Sequence, residues 1–201
     1  VRKVKNSSFT LASLPEETRN KALRAINEAL EKNKAEIFAA NMKDMNAAKE
    51  GSLPDPIVNR LKFDDGKLNG CISGIEDLIK LEDPLFKNLL RRELDEDLIL
   101  TKTTCPIGVI GVIFESRPDA LVQIASLCIK SGNCVILKGG SEAKNTNRIL
   151  FDTIYGAALS AGLPADFALL IEDRAGIDEL LKCHEYVDLL IPRGSNQFVQ
   201  Y

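Results

Sequence analysis

The sequence predicts an α/β protein whose parallel sheet carries helices on both faces and follows an amino-terminal helical region. After Pro106, four short apolar segments alternate with amphipathic ones, which is the order of parallel strands and their crossover helices. Before about residue 95, apolar residues recur at three- and four-residue spacing, as in consecutive helices. The chain has 201 residues, 45% of them hydrophobic, which is enough for about one sizeable core.

Composition argues against several classes of function. A net charge of −3 gives no indication of a basic surface for nucleic acid. The apolar runs, such as residues 107–114, are too short to span a bilayer, and no apolar signal core follows the basic amino terminus, so a cytoplasmic protein is expected. Five cysteines without a CxxC pair, and one histidine, predict neither a disulfide framework nor a metal site.

Residues 1–93 are predicted to form helices that pack on the sheet domain. Ser13 and Glu16 have the spacing of a capping box, which would start one helix. A second helical stretch ends at Gly51, and a third covers about residues 65–81.

The spacing of the side chains then changes from a helical period to the alternation of a strand. Residues 94–105 are predicted to form one strand with one solvated face, because β-branched threonines alternate there with other side chains. Residues 106–201 form the parallel α/β region, with Ser141 and Asp173 as predicted helix N-caps. Its four apolar strands are predicted at residues 107–114, 134–137, 167–171 and 187–191.

Ligands of open parallel sheets bind beyond the carboxyl ends of the strands, so the residues after each strand are the candidates. Lys138, Gly139, Gly140 and Ser141 combine a positive charge, glycines that let backbone amides approach an anion, and a helix start. This suits a phosphate or a ribose phosphate, although an ordinary turn with a solvated lysine would have the same residues. Neither a Walker A loop nor a GxGxxG fingerprint is present.

Two further strand ends carry residues for anion binding. Arg117 and Arg193 should lie on the same rim, where they suit a carboxylate or phosphate, or are plain surface residues. Gly194 and Ser195 begin another turn into a helix, where the serine suits either a nucleotide contact or an N-cap. No cysteine has the spacing of a nucleophile, so the residues alone give a nucleotide-type domain without a complete catalytic set.

The strand-end segments resemble a known family. Residues 106–119 read PIGVIGVIFESRPD, residues 137–143 read LKGGSEA, and residues 188–196 read DLLIPRGSN. These segments are similar to the glutamyl-phosphate reductases, also called glutamate-5-semialdehyde dehydrogenases, of the aldehyde dehydrogenase superfamily. Matches are spread over most of the chain, and Glu-Ser-Arg-Pro at residues 115–118 separates this family from ordinary aldehyde dehydrogenases.

The resemblance implies an aldehyde dehydrogenase-like fold and an NADPH-dependent reduction of L-glutamyl 5-phosphate to L-glutamate 5-semialdehyde, with release of phosphate, in proline biosynthesis. The family's nucleophilic cysteine would follow Tyr201, so the chain is expected to be the cofactor-binding part without the catalytic domain, and inactive by itself. Residues 94–105 would belong to the extension used in oligomerisation. A homo-oligomer is therefore expected, with glutamate 5-kinase as a possible partner or fused domain.

The resemblance also implies site residues. Ser116 stands where ordinary aldehyde dehydrogenases carry an oxyanion-hole asparagine, and Arg117 is a candidate contact for the acyl phosphate or the substrate carboxylate. The implied cofactor contacts are Lys138 to Ser141 at the adenosine ribose and its phosphate, Gly194 and Ser195 at the diphosphate, and Ile113 and Phe114 at the nicotinamide.

Two alternatives remain open. A non-phosphorylating aldehyde dehydrogenase would have the same fold and would not depend on phosphate. A nucleotide-binding or regulatory module without chemistry of its own would have a reading frame that stops near residue 201.

Overall fold

The structure is a computed structural model that describes residues 1–173 and 175–194. Five helices come first: α1 Arg2–Ser13, α2 Glu16–Lys32, α3 Lys34–Glu50, α4 Asp55–Leu61 and α5 Asp65–Lys80. An antiparallel hairpin follows, formed by β1 Asn88–Asp95 and β2 Leu98–Thr103. The remaining elements are β3 Val109–Phe114, α6 Pro118–Lys130, β4 Cys134–Lys138, a 3-10 turn at Ser141–Ala143, α7 Lys144–Ser160, β5 Ala168–Ile171, α8 Ala175–Lys182 and β6 Leu189–Arg193.

The main sheet is parallel throughout, with the strand order β5-β4-β3-β6. Every residue of β3 and β4 is buried, as their uninterrupted apolar runs predict. The order reverses at β3, because β4 and β5 lie to one side of it and β6 to the other. This point of reversal is where open α/β sheets bind ligands.

The helices cover both faces of the sheet. The connections from β3 to β4 through α6 and from β4 to β5 through α7 both move towards the β5 edge of the sheet. The connection from β5 to β6 through α8 moves back towards the other edge. Because such connections are right-handed, α8 lies on the opposite face of the sheet from α6 and α7. Leu180 of α8 lies against Gly111 in the middle of β3. Helices α2 and α5 form an outer layer on α6, and α2 also packs on α7. The predicted α/β class is confirmed.

Several predicted helix ends need correction. Ser13 does not cap α2: it is the last residue of α1, its hydroxyl donates to the Thr10 carbonyl at 2.8 Å, and Pro15 takes the N-cap position. Ser141 does not cap α7 either, because a 3-10 turn intervenes and α7 has no side-chain cap from its own N-cap residue. The predicted cap by Asp173 is confirmed, since its Oδ1 accepts from the Gly176 amide at 2.8 Å.

The single strand predicted at residues 94–105 is wrong. Residues 94–95 end β1, residues 96–97 turn, and β2 returns along β1. Asp97 has a φ of +59°, a left-handed conformation that aspartate tolerates better than most residues. Both strands are exposed along their whole length rather than on one face. The assignment of this segment to an oligomerisation extension stays a prediction.

In the part of the chain that the structure describes, no helix is long and apolar enough to cross a membrane.

Ion pairs tie the first helix to the sheet. The Lys5 ammonium in α1 contacts both carboxylate oxygens of Asp188 at 2.6 Å, and the Val109 amide donates to the same carboxylate at 2.8 Å. Burial by itself raises the pKa of Asp188, but the Lys5 and Val109 hydrogen bonds outweigh it, so the pKa lies below the ordinary aspartate value.

This lowered pKa predicts a loss of stability in acid. The unfolded chain takes up a proton at this residue before the folded chain does, so the stabilisation is present above the ordinary aspartate pKa of about 3.9 and is lost as pH falls through the lower folded value. The urea midpoint of Asp188→Asn should therefore fall less steeply below about pH 4 than that of the wild type. Asp77→Asn, which changes an exposed carboxylate, is the matched control. Equal slopes for wild type and Asp188→Asn would contradict the prediction.

Candidate functional site

A cleft of about 260 Å³ opens at the carboxyl ends of β3 and β6, where the strand order reverses. Small-molecule pockets usually measure roughly 300–1,000 Å³, so the cleft suits a small ligand. The residues that line it are Arg60, Phe114, Glu115, Ser116, Arg117, Ala120, Arg193 and Gly194. The cleft thus combines an aromatic floor with polar and charged walls.

Strand register brings the predicted rim residues together. Phe114 at the end of β3 pairs with Arg193 at the end of β6. After three residues the chain enters α6, where Arg117 holds the N-cap position and Pro118 takes the first turn, for which its fixed φ is suited. Arg117 and Arg193 are therefore both on the rim of the cleft, as the sequence predicted.

A third arginine, which sequence reasoning from strand ends missed, lines the same cleft. Arg60 comes from α4, in the helical region that precedes the sheet by nearly fifty residues. All three arginines are exposed residues, and none has an acidic partner within 4.0 Å among the described residues. A cleft with three guanidinium groups and one carboxylate, that of Glu115, favours an anionic ligand.

The loop after β4 is packed too tightly for an ordinary solvated turn. Lys138 is only 6% exposed, and its ammonium donates to the Gly139 carbonyl at 2.5 Å. A Cβ atom on Gly139 would lie 2.2 Å from the Asn147 amide nitrogen and 3.2 Å from the Phe114 ring. The alternative of a solvated lysine is therefore wrong, and Gly139 is required for space rather than for an unusual backbone angle.

A carboxylate joins this loop to the one after β3. Glu142 Oε1 accepts from the Ser116 amide at 2.8 Å and from the Ser116 hydroxyl at 2.5 Å. A Cβ on Gly140 would lie 2.0 Å from the same Oε1, so the glycine leaves room for this contact. Because the Ser116 hydroxyl has one proton and donates it to Glu142, an oxyanion contact through that hydroxyl requires this bond to break.

Removing this carboxylate should loosen both loops. Glu142→Ala leaves the Ser116 amide without its acceptor and should cost about 1–2 kcal/mol in the free energy of unfolding, measured by urea denaturation. Ser116→Ala keeps the amide bond and loses only the hydroxyl bond, so its cost should be about half as large. A cost for Glu142→Ala no greater than that for Ala at the exposed Glu185 would refute the link.

Beside the glycines lies a depression of about 10 Å³, room for roughly one water molecule. It is lined by Gly139, Gly140, Lys144, Asn147, Leu170, Ile171 and Glu172. Asn147 is 4% exposed, and its side-chain oxygen lacks a hydrogen-bond partner among the described residues. An orphaned buried acceptor in a space of this size can be satisfied by a single hydroxyl group or water molecule.

The remaining predicted site residues have mixed outcomes. Ile113 is buried on β3 and pairs with Lys138 across the sheet, and Ser141 is exposed at the start of the 3-10 turn. Gly194 lines the cleft, whereas Ser195 lies outside the described residues. The structure therefore places two groups of candidates at one sheet edge, the cleft at β3 and β6 and the depression at β4 and β5.

The core cysteines are unsuited to nucleophilic attack. Burial raises the pKa of the Cys128 and Cys134 thiols to about 12. Burial, together with the Asp119 carboxylate, raises the pKa of Cys71 to about 12 as well. Since the thiolate is the reactive form, these three thiols are inert near neutral pH.

The described fold is that of the aldehyde dehydrogenases. An acetylating aldehyde dehydrogenase from Geobacillus thermoglucosidasius superposes with a TM-score of 0.74 at 17% identity, covering 99% of this chain and 41% of that one, which shows the shared fold. Sequence similarity is more specific: over nearly its whole length, the chain is similar to curated gamma-glutamyl phosphate reductases. It is 54% identical over 200 residues to the gamma-glutamyl phosphate reductase of Pelotomaculum thermopropionicum, covering 100% of this chain and 46% of that protein.

Two solved structures show the same similarity. The gamma-glutamyl phosphate reductase of Saccharomyces cerevisiae superposes with a TM-score of 0.94 at 39% identity, over 99% of this chain and 51% of that one. That of Thermotoga maritima superposes with a TM-score of 0.95 at 32% identity, over 99% and 49%. The chain thus spans about half the length of the relatives it matches. No protein-family model matches the chain.

Proposed function

We propose that this chain is the cofactor-binding part of an enzyme that reduces L-glutamyl 5-phosphate to L-glutamate 5-semialdehyde with NADPH, releasing phosphate, in cytoplasmic proline biosynthesis. One observation carries the proposal. The chain is 54% identical to a gamma-glutamyl phosphate reductase, and three of its arginines line one cleft at the end of β3. These arginines have no acidic partner among the described residues. An acyl phosphate with a charge of about −2 and an α-carboxylate are the anions that such a cleft would bind.

The cofactor is proposed to lie across the sheet edge. Lys138, Gly139, Gly140 and Ser141 would hold the adenosine ribose and its phosphate, and the orphaned Asn147 oxygen would accept from a ribose hydroxyl. The support is physical: a buried ammonium, two glycines without side chains and an unpaired acceptor lie side by side.

The other proposed cofactor contacts lie at β3 and β6. Gly194 and Ser195 would follow the diphosphate, and Ile113 and Phe114 would line the nicotinamide. When bound, NADPH supplies the hydride for the reduction.

The chain's own residues would bind, orient and shield. Arg117 and Arg193, which flank the end of β3, would hold the phosphate of the substrate close to Phe114. The buried Phe114 ring would keep water from the reacting carbon, which limits hydrolysis of an acyl phosphate. Glu142 would hold the Ser116 loop, and with it Arg117, at a fixed distance from the loop after β4.

The experiment follows NADP reduction by the complete gene product with pyrroline-5-carboxylate, the cyclic form of glutamate semialdehyde, with and without inorganic phosphate. Phosphate-dependent NADPH formation is expected, because the acyl phosphate forms only when phosphate is the acceptor. Equal rates without phosphate would instead establish a non-phosphorylating aldehyde dehydrogenase. A folded protein without turnover would favour a nucleotide-binding module. Comparing NAD with NADP in the same assay tests the cofactor preference.

We also propose that the complete protein is a homo-oligomer that uses the hairpin of β1 and β2, with glutamate 5-kinase as a possible partner. The hairpin is exposed on both faces and carries apolar side chains that a single chain leaves in solvent: Leu89, Leu90, Leu94, Leu98, Ile99 and Leu100.

A further inference from the structure

We infer that Arg60 binds the α-carboxylate of the glutamyl substrate and so selects an amino-acid chain over a simple acyl phosphate. The inference rests on the proposed function and concerns the wall of the cleft that α4 provides. Three observations carry it: the fixed backbone beneath Arg60, its guanidinium group without an acidic partner in the described residues, and its place relative to the other two arginines.

The backbone at Arg60 is held by a buried amide. The Asn41 side chain donates to the Leu61 carbonyl at 2.8 Å and accepts from the Phe63 amide at 2.9 Å. Leu61 and Phe63 are both buried, and Asn41 also donates to the Thr146 hydroxyl at the start of α7 at 3.2 Å. The main chain beside Arg60 is therefore anchored to the helix that follows the β4 loop, while the Arg60 side chain itself is exposed to the cleft.

The charge of Arg60 is available to a ligand. The buried Arg19 is paired with Asp83 at 2.6 Å, whereas Arg60 has no carboxylate within 4.0 Å among the described residues. An exposed arginine alone would mean little. Here Arg117 and Arg193, from two other elements, line the same cleft. If those two arginines hold the phosphate, the Arg60 guanidinium remains for a second anionic group.

The position of each arginine assigns its anion. Arg193 pairs with Phe114 and Arg117 follows the same strand, so both lie at the strand ends, where the proposed function places the reduced carbon. Arg60 reaches the cleft from the helical region instead. L-Glutamyl 5-phosphate carries its phosphate at the reacting carbon and its carboxylate at the far end of a five-carbon chain. The strand-end arginines therefore match the phosphate, and Arg60 matches the carboxylate, for which a guanidinium offers two parallel hydrogen bonds.

The test uses the complete gene product in the oxidative direction, where glutamate semialdehyde and phosphate are separate substrates with separate KM values. Arg60→Gln should raise the KM for glutamate semialdehyde by about 10- to 100-fold, the range for hydrogen bonds to charged groups. The KM for phosphate should change less than about 2-fold, because the phosphate lies at the other arginines. Arg60→Lys keeps the positive charge but not the two parallel hydrogen bonds of the guanidinium. Its KM for glutamate semialdehyde should therefore lie between those of the wild type and Arg60→Gln. Arg24→Gln, an exposed arginine on α2 away from the cleft, is the matched control.

Other outcomes separate the inference from the proposed function. An unchanged KM for glutamate semialdehyde, an equal rise in both KM values, or a rise for phosphate alone would each overturn the role of Arg60 while leaving a phosphate-dependent wild type intact. A wild type that turns over without phosphate would overturn the proposed function instead. The melting temperature of each variant distinguishes lost binding from lost folding, and Arg60→Lys provides the KM comparison should Arg60→Gln be too slow to assay.

Discussion

Replacing Arg19 with alanine is expected to lower the free energy of unfolding by about 3–5 kcal/mol. Arg19 is 1% exposed, and its guanidinium joins three segments. It donates to the Lys130 carbonyl at the end of α6, to Asp83 at 2.6 Å and to the Leu14 carbonyl at 3.3 Å. Alanine would remove the donor from all three acceptors, although Asp83 keeps the bond from the Leu85 amide, and would open a cavity where the long side chain lay.

Equilibrium urea unfolding of the chain, followed by circular dichroism, measures this loss. Arg24→Ala on the exposed face of the same helix is the control and should change stability by less than about 0.5 kcal/mol. The Arg19 variant should also weaken the packing of α2 on α6, so amides of α6 near Lys130 should exchange faster. A loss below about 1 kcal/mol would show that water replaces the guanidinium, and the buried network would then be unimportant for stability.

The sequence predicts the two central strands, β3 and β4, well because both are buried along their whole length. Residues 107–114 and 134–137 are continuous apolar runs bounded by turns, and both correspond to strands. Residues 1–93 are predicted to be helical, but the separate helix α1 is not delimited, because its segment RKVKNSSFTLAS has few apolar positions. Long-range contacts such as the pair between Lys5 and Asp188 hold it, and these cannot be read from local periodicity.

The hairpin turn escaped prediction for a different reason. Residues 96–97 are Glu and Asp, and none of the glycine, proline or asparagine that usually mark a tight turn is present. The alternation continues through the turn, so two short strands look like one longer strand.

The residues of the candidate site also fall into those that the sequence predicts and those that it does not. The sequence predicts Phe114, Arg117, Lys138 and Arg193 as site residues because they lie at or just beyond the ends of apolar strands, and parallel strands end at one edge. Arg60 enters the cleft from a helix distant in sequence, and no local pattern indicates that approach.

The polar partners within the site were missed because they depend on packing. The Asn147 oxygen next to Gly139 and the bond from Ser116 to Glu142 each follow from how side chains meet across loops. The wrong assignment of Ser141 as a helix cap has the same origin. Asp44, from α3, supplies the cap of α7 over a separation of 102 residues.

Asp44→Ala is therefore expected to destabilise the protein by about 2–4 kcal/mol, more than the loss of an ordinary helix cap at about 1 kcal/mol. The Asp44 carboxylate is 3% exposed and accepts four hydrogen bonds. Two come from Thr146, from its amide at 2.7 Å and its hydroxyl at 2.6 Å, and two from Asn145, from its amide at 3.2 Å and its side chain at 2.7 Å. Alanine leaves buried donors at Thr146 unpaired and removes a negative charge from the positive end of the α7 dipole.

Asp152→Ala, on the exposed face of the same helix, is the control, and a change below about 0.5 kcal/mol is expected there. Asp44→Asn keeps the side-chain shape but turns an amide group toward two of the donors, so it should recover only part of the loss. Because α7 starts directly after the proposed ribose loop, Asp44→Ala should also weaken NADPH binding by the complete gene product, measured by fluorescence titration. Full stability in Asp44→Ala would mean that water caps α7 equally well. If the variant is destabilised but its NADPH affinity is unchanged, the cap of α7 does not affect the proposed cofactor site.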